Sequence, residues 1–171
     1  MKERIEAFVN HLIRLAERED RAALAALRRS LAFSPGTYPP SFPYVEPWTG
    51  GLSDAARQAY YLGAGLFALN RRHAEGKTVA EALAREMKQR DSKSVEGRFL
   101  ALLDAEEDEL GYKLRQAVFL LGEQPLDWVQ LIYDIAHWSS DNRWVQVRWA
   151  KEFYGVSDSE AVKQEEKEEI A

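Results

Sequence analysis

The chain has no cysteine, which excludes a disulfide scaffold and any thiolate-held metal, and a reducing compartment is the expectation. No apolar run approaches the roughly 18 residues that a membrane span needs. The opening "MKERIEAFVNHLIRLAERED" is charged throughout and lacks the apolar stretch of a signal peptide. Together these absences predict a soluble protein of the cytoplasm without a membrane partner. Catalytic signatures are also missing: there is no P-loop, no G-x-G-x-x-G, no G-x-S-x-G and no H-E-x-x-H. Strand signals are nearly absent, and five of the six prolines are confined to "SPGTYPPSFPYVEPWTGG", residues 34–51.

What remains is a chain of 171 residues, 46% hydrophobic and 30% charged, long enough for one domain with a substantial core. Its net charge is −5, which at first argues against nucleic acid. The distribution alters that. Residues 156–171, "VSDSEAVKQEEKEEIA", carry six acids and two lysines, leaving 22 acids against 21 bases in residues 1–155. A near-neutral body has room for one basic face and one acidic face.

Helical periodicity dominates. Ile5, Phe8, Val9, Leu12 and Leu15 predict a helix over 3–19, and Asp20 caps a second through "RAALAALRRSLAF". The Pro-rich segment reads as a long strap held by Tyr38, Phe42, Tyr44 and Trp48, with a short helical turn inside. Ser53 caps a helix over 54–74, whose Gly63 and Gly65 leave room for a neighbour. Thr78 and Glu81 form a capping box for a helix to about Gln89. Helices follow at 94–104 and at 106–122, ended by Gly122. Pro125 opens one to about Trp138, and Asp141 caps the last, to Tyr154. Ser157 and Glu160 give the tail a second box, and the tail is either a solvated helix or a frayed one. The expected fold is all-α: one helical domain over 1–155, with sub-bundles 1–75 and 92–155 as one option, then the acidic tail 156–171.

Candidate chemistry is thin. Asp134 and His137, three apart, are the one carboxylate–histidine pair on a helix, and a helical two-metal site needs several. The acids of "DAEEDE", 104–109, suit the N-terminus of the next helix through its dipole. No cofactor, metal or catalytic residue is predicted.

The basic positions say more. In the 106–122 helix, Leu110, Leu114, Ala117, Val118 and Leu121 make the core face, while Tyr112, Arg115 and Phe119 form an outward stripe. In the last helix Trp144, Arg148 and Lys151 share a side, with Arg143 at its start. Trp149 and Phe153 go with Val145 into the core, and Trp144 is either a stacking platform or a lid on that core. Arg98 lies away from Val95, Phe99 and Leu102, and Arg28 falls one heptad after Arg21 with Arg29 beside it. Arginines alternating with rings on an exposed face suit strand phosphates plus stacked bases. They also suit arginine stems covering apolar rings, or a protein-partner surface.

The segments "AALAALRRS", "YYLGAGLFAL", "SVEGRFLALLDAEEDELGYKLRQAVFLL", "LDWVQLIYDI" and "WVQVRWAKEFY", in this order and spacing, resemble the CasB family, the small subunit of the type I-E CRISPR surveillance complex Cascade. The resemblance covers nearly the whole body and none of the tail. It implies an all-α, non-enzymatic subunit, present in two copies beside the guide-RNA backbone subunits. Such a subunit supports guide RNA and target DNA and holds the displaced single strand on a basic surface, stabilising the R-loop. Carried over, that surface comprises Arg28 or Arg29, Arg98, Arg115, Arg143, Arg148 and Lys151. The alternative is a purely structural spacer between protein subunits.

Overall fold

Apolar residues three and four apart build the long elements of this computed structural model, which describes residues 1–155; the tail, with its expected Ser157/Glu160 cap, lies outside the described residues. Helix α1 (Lys2–Glu17) buries Ile5, Phe8, Val9, Leu12 and Leu15. Helix α2 (Arg21–Ser30) begins at Asp20, whose carboxylate accepts from the Ala23 amide at 3.1 Å. The Pro-rich strap contains two short 3₁₀ turns, Pro39–Ser41 and Glu46–Trp48, around a single helical turn, α3 (Phe42–Val45). Then come α4 (Asp54–Asn70), α5 (Val79–Arg90), α6 (Lys93–Leu103), α7 (Glu107–Leu121), α8 (Trp128–Ala136) and, over 144–155, α9. The described residues contain no strand, only an isolated bridge between His73 and Leu126. The fold is all-α.

Helix α4 runs through the middle, packed on α8, α2 and α7. Its two glycines explain how closely the neighbours approach. A Cβ at Gly63 would stand 2.3 Å from the Ile132 side chain of α8. One at Gly65 would stand 2.6 Å from Leu31 and 3.0 Å from the Leu27 carbonyl of α2. Helix α8 also packs on α1, and buried residues from Ile5 to Phe153 join in one core.

Two boundaries depart from the periodicity. The helix expected over 54–74 stops at Asn70, because Arg71 turns into the left-handed region at φ 64°. The chain from there runs alongside residue 126: Leu126 N–H donates to the Arg72 carbonyl at 3.3 Å and Ala74 N–H to the Leu126 carbonyl at 3.1 Å. That extended pairing prevents Pro125 from opening a helix. α8 starts instead at Trp128, capped by Asp127, whose carboxylate accepts from the Gln130 amide at 3.0 Å. At the last helix, Asn142 rather than Asp141 accepts from the first amide, that of Trp144, at 3.3 Å.

The strap is tied down by ionisable groups. His11 Nε2 donates to the Tyr44 carbonyl at 2.9 Å, and its ring stacks on Trp48 at 4.9 Å. Burial, with help from Arg14 and Arg18, lowers the His11 pKa below its ordinary 6.5, although the Tyr44 bond opposes this. Glu46 accepts from Arg57 at 2.8 Å and from the Tyr61 hydroxyl. The Arg57 bond, then the Tyr61 bond, lowers the Glu46 pKa from its ordinary 4.5. Both lowered values have the same sign: the unfolded chain binds more protons, so stability falls on acidification. The His11 contribution is fully present above pH 6.5 and is lost as the pH falls through its depressed folded value; Glu46 follows below 4.5. Thermal melts of wild type and His11→Gln between pH 7.5 and pH 5 (~0.5 pH steps) should show wild type losing more Tm. Parallel curves would mean that the histidine is not titrating against the fold.

Candidate nucleic-acid interface

Helix α7 sorts its residues by face. Leu110, Leu114, Ala117, Val118 and Leu121 are buried, and the acids Glu107, Asp108 and Glu109 fill its first turn, where the dipole favours them. The opposite stripe is left to solvent: Tyr112 is 67% exposed, Phe119 is 82% exposed, and Arg115 stands between them. An isolated exposed leucine needs no explanation, but a phenylalanine this bare beside an arginine does.

The stripe forms one wall of a groove of about 540 Å³. Arg98 comes to it from α6, Arg90 from the last residue of α5, and Gln116 from α7. No carboxylate of the described residues lines it. Arg90 is held by Glu86 at 2.8 Å, and Gln124 donates to the other Glu86 oxygen at 2.7 Å. Arg98 and Arg115 form no ion pair with a described residue, so their charge is directed outward. On the far side of Tyr112 and Arg115 a second hollow, of about 290 Å³ and lined also by the acids Glu107 and Asp108, reaches Ser30, Leu31 and Phe33. These directly follow Arg28 and Arg29, both exposed in the last turn of α2. Phe33, 52% exposed, stacks on Tyr38 with ring centres 4.8 Å apart. Rings and arginines are therefore interleaved from α7 to α6 and the end of α5, while the stretch between α7 and α2 is broken by Glu107 and Asp108.

The structure does not bring all the sequence-derived positions together. Lys151 is exposed on α9 and is not among the residues that line the groove. Arg143, at φ 52°, donates to the Leu103 carbonyl at the end of α6. It lies in a different cleft, of about 550 Å³, among Asp104, Glu106, Glu107, Asp108 and Asp141. Arg148 turns inward. Its guanidinium donates to Asp134, which is 2% exposed, and its Nε to Glu152 at 3.2 Å. Burial works against the Arg148 charge, but Asp134 and Glu152 outweigh it and raise its pKa; burial also pushes Glu152 up, against the pull of Arg148. The Arg148 head lies over the Trp144 ring, 5.7 Å from its centre, and that ring packs on the core near Tyr133 and His137. Trp144 is therefore the lid.

The same contacts divide Asp134 from His137. Asp134 also accepts from Trp149 Nε1 and Gln130 Nε2, each at 2.8 Å, while His137 Nδ1 donates to the Tyr133 carbonyl at 2.8 Å. No group of three or more metal-ligating side chains occurs among the described residues. No described helix is long and apolar enough to cross a membrane. Arg90 is the groove residue that the periodicity passed over. Its helix was expected to end at about Gln89; the local signal was the "QRD" that ends the helix, where Asp91 takes the left-handed conformation.

Comparison with known proteins agrees with this architecture. The sequence model of the family described as CRISPR-associated protein Cse2 matches residues 23–154. The chain is 47% identical over 167 residues to the CRISPR-associated protein Cse2 of Thermus thermophilus, covering 95% of this chain and 97% of that one. It resembles the crystal structure of CasB from Thermus thermophilus with a TM-score of 0.80 at 46% identity, over 88% of this chain and 97% of that one. For M. ruber CasB the TM-score is 0.79 at 35% identity, over 93% and 97%. A chain of a CRISPR RNA-guided surveillance complex shares the fold, with a TM-score of 0.81 at 21% identity over 95% and 98%. Matched by that family model over most of its length and nearly half identical to a full-length relative, the chain belongs to the Cse2 family of CRISPR-associated proteins, whose solved members include CasB.

Proposed function

We propose that this protein is a non-catalytic subunit of an RNA-guided CRISPR surveillance complex, and that it holds single-stranded nucleic acid without reading its sequence. The observation that carries this is the groove in which Arg98 and Arg115, free of internal ion pairs among the described residues, flank the exposed rings of Tyr112 and Phe119. Guanidinium groups supply phosphate contacts and rings supply sequence-tolerant stacking, which suits a displaced strand while base pairing with a guide reads the target. Support for the assembly comes from the family and from the surveillance-complex chain that shares the fold. In that setting the partners are other Cascade subunits, including a second copy and the guide-RNA backbone subunits, together with guide RNA and target DNA. The working site is the cytoplasm. Arg28 and Arg29 add contacts from α2, and Lys151 contacts nucleic acid from α9. Arg143 and Arg148 serve the fold first, holding the end of α6 and the α8–α9 junction.

The test is fluorescence anisotropy of labelled single-stranded DNA across a salt series, with the purified protein and with the protein reconstituted into the complex. Arg98→Glu/Arg115→Glu should weaken low-salt binding more than about tenfold. It should also flatten the plot of log affinity against log salt by about 1.4, at roughly 0.7 per single-strand phosphate contact. Unchanged affinity and slope in both settings, with a folded variant by circular dichroism, would refute the groove as the strand site. The protein would then be a spacer.

A further inference from the structure

We infer that the acidic tail, residues 156–171, is an intramolecular ligand of the arginine groove and competes there with the nucleic-acid strand. The inference rests on the strand-binding role proposed above and adds its regulation. Three observations carry it. The groove presents Arg90, Arg98 and Arg115 without a lining carboxylate of its own among the described residues. The tail carries six acids against two lysines, a charge of the opposite sign.

The third is where the described chain ends. Phe153 stacks on Phe99 of α6 with centres 4.1 Å apart, and the Tyr154 hydroxyl lies 3.4 Å from Glu96 of the same helix. Arg98 is on the opposite side of α6 from Glu96, so one helix width, about 10–12 Å, lies between the side that Tyr154 touches and the side that faces the groove. Sixteen residues span up to about 50 Å when extended, ample to round α6. A tethered segment of this length acts at an effective concentration on the order of millimolar, so even a weak seat competes with a strand.

Two experiments on the full chain test this. The first needs no nucleic acid. The chain has no cysteine of its own, so Gln116→Cys/Glu166→Cys places a single thiol pair, one in the groove and one in the tail. Under mild oxidation at low salt this pair should close an intramolecular disulfide several times faster than Glu6→Cys/Glu166→Cys, whose first thiol lies on α1. Equal rates would overturn the inference whether or not the protein binds a strand. The second measures strand affinity. Glu165→Gln/Glu166→Gln/Glu168→Gln/Glu169→Gln should bind single-stranded DNA about fivefold tighter at low salt, with the gain disappearing at high salt. Glu3→Gln/Glu6→Gln/Glu17→Gln/Glu19→Gln, which makes the same charge change on and beside α1, should gain little. An equal gain in both would show bulk charge alone and reject the tail seat. A gain that persists in the Arg98→Glu/Arg115→Glu background would place the tail elsewhere. If reversing the arginines leaves strand binding untouched, the strand reading fails on its own, and the disulfide rates still decide the tail.

Discussion

Asp134→Ala is expected to destabilise the protein by about 3–5 kcal/mol, the usual cost of stripping one partner from a buried ion pair. Asp134 is 2% exposed and serves three donors: the Arg148 guanidinium, the Trp149 indole at 2.8 Å and the Gln130 amide at 2.8 Å. Truncation leaves Arg148 with Glu152 alone and strands the N–H of a tryptophan that is itself buried. An orphaned buried donor adds a penalty of about 1–3 kcal/mol within that total. For a chain of this size Tm should fall by about 10 °C, at about 2–4 °C per kcal/mol. Asp134→Asn keeps an acceptor and should lose less. Urea melts of the two variants check this. A loss below about 1 kcal/mol for the alanine variant would mean that the cluster is no clamp and that Arg148 is available to a strand. An Arg148→Glu variant that loses nucleic acid therefore has to be shown folded before the loss is assigned to contact.

Trp128→Ala should cost a similar amount, about 3–5 kcal/mol, by a different route. Its ring is fully buried and meets Phe67 edge-on at 5.7 Å, so truncation opens a large cavity between α4 and α8. Its indole N–H donates to the Arg72 carbonyl at 2.7 Å, and its backbone N–H to His73 Nδ1 at 3.2 Å. These bonds fasten the start of α8 to the connection after α4. Trp128→Phe should recover most of the packing but not the indole bond, leaving a loss of about 1–2 kcal/mol. Chemical denaturation of both variants separates the contributions. If the phenylalanine variant proved as unstable as the alanine one, the bond to Arg72 would be the main term and cavity formation a minor one.

Periodicity made much of this architecture legible. Residues three and four apart share a helix face whatever packs on it, so the buried sides of α1, α2 and α7 follow from spacing alone. The same rule places Tyr112, Arg115 and Phe119 opposite the core of α7, as observed. Gly63 and Gly65 announced close neighbours, and Ile132 and Leu31 occupy the space. Where spacing misled, a contact distant in sequence intervened. Leu126 pairs with residues 72–74, more than fifty positions earlier, and this removes a turn that the local pattern assigned to α8.

The positions of the arginines show the division most clearly. From the sequence alone came an all-α chain without catalytic signatures, the helix faces, an outward arginine–aromatic stripe on α7, and an acidic tail, because all of these depend on composition and on fixed helical geometry. Spacing could not say that Arg98 and Arg90 share a groove with Arg115, which depends on how α5, α6 and α7 pack. Nor could it say that Arg148, on the same stripe as Trp144, would find a buried carboxylate on α8 instead of solvent. A charge's environment is set by what lies across the helix interface, and only the tertiary structure brings Asp134 to within reach of Arg148.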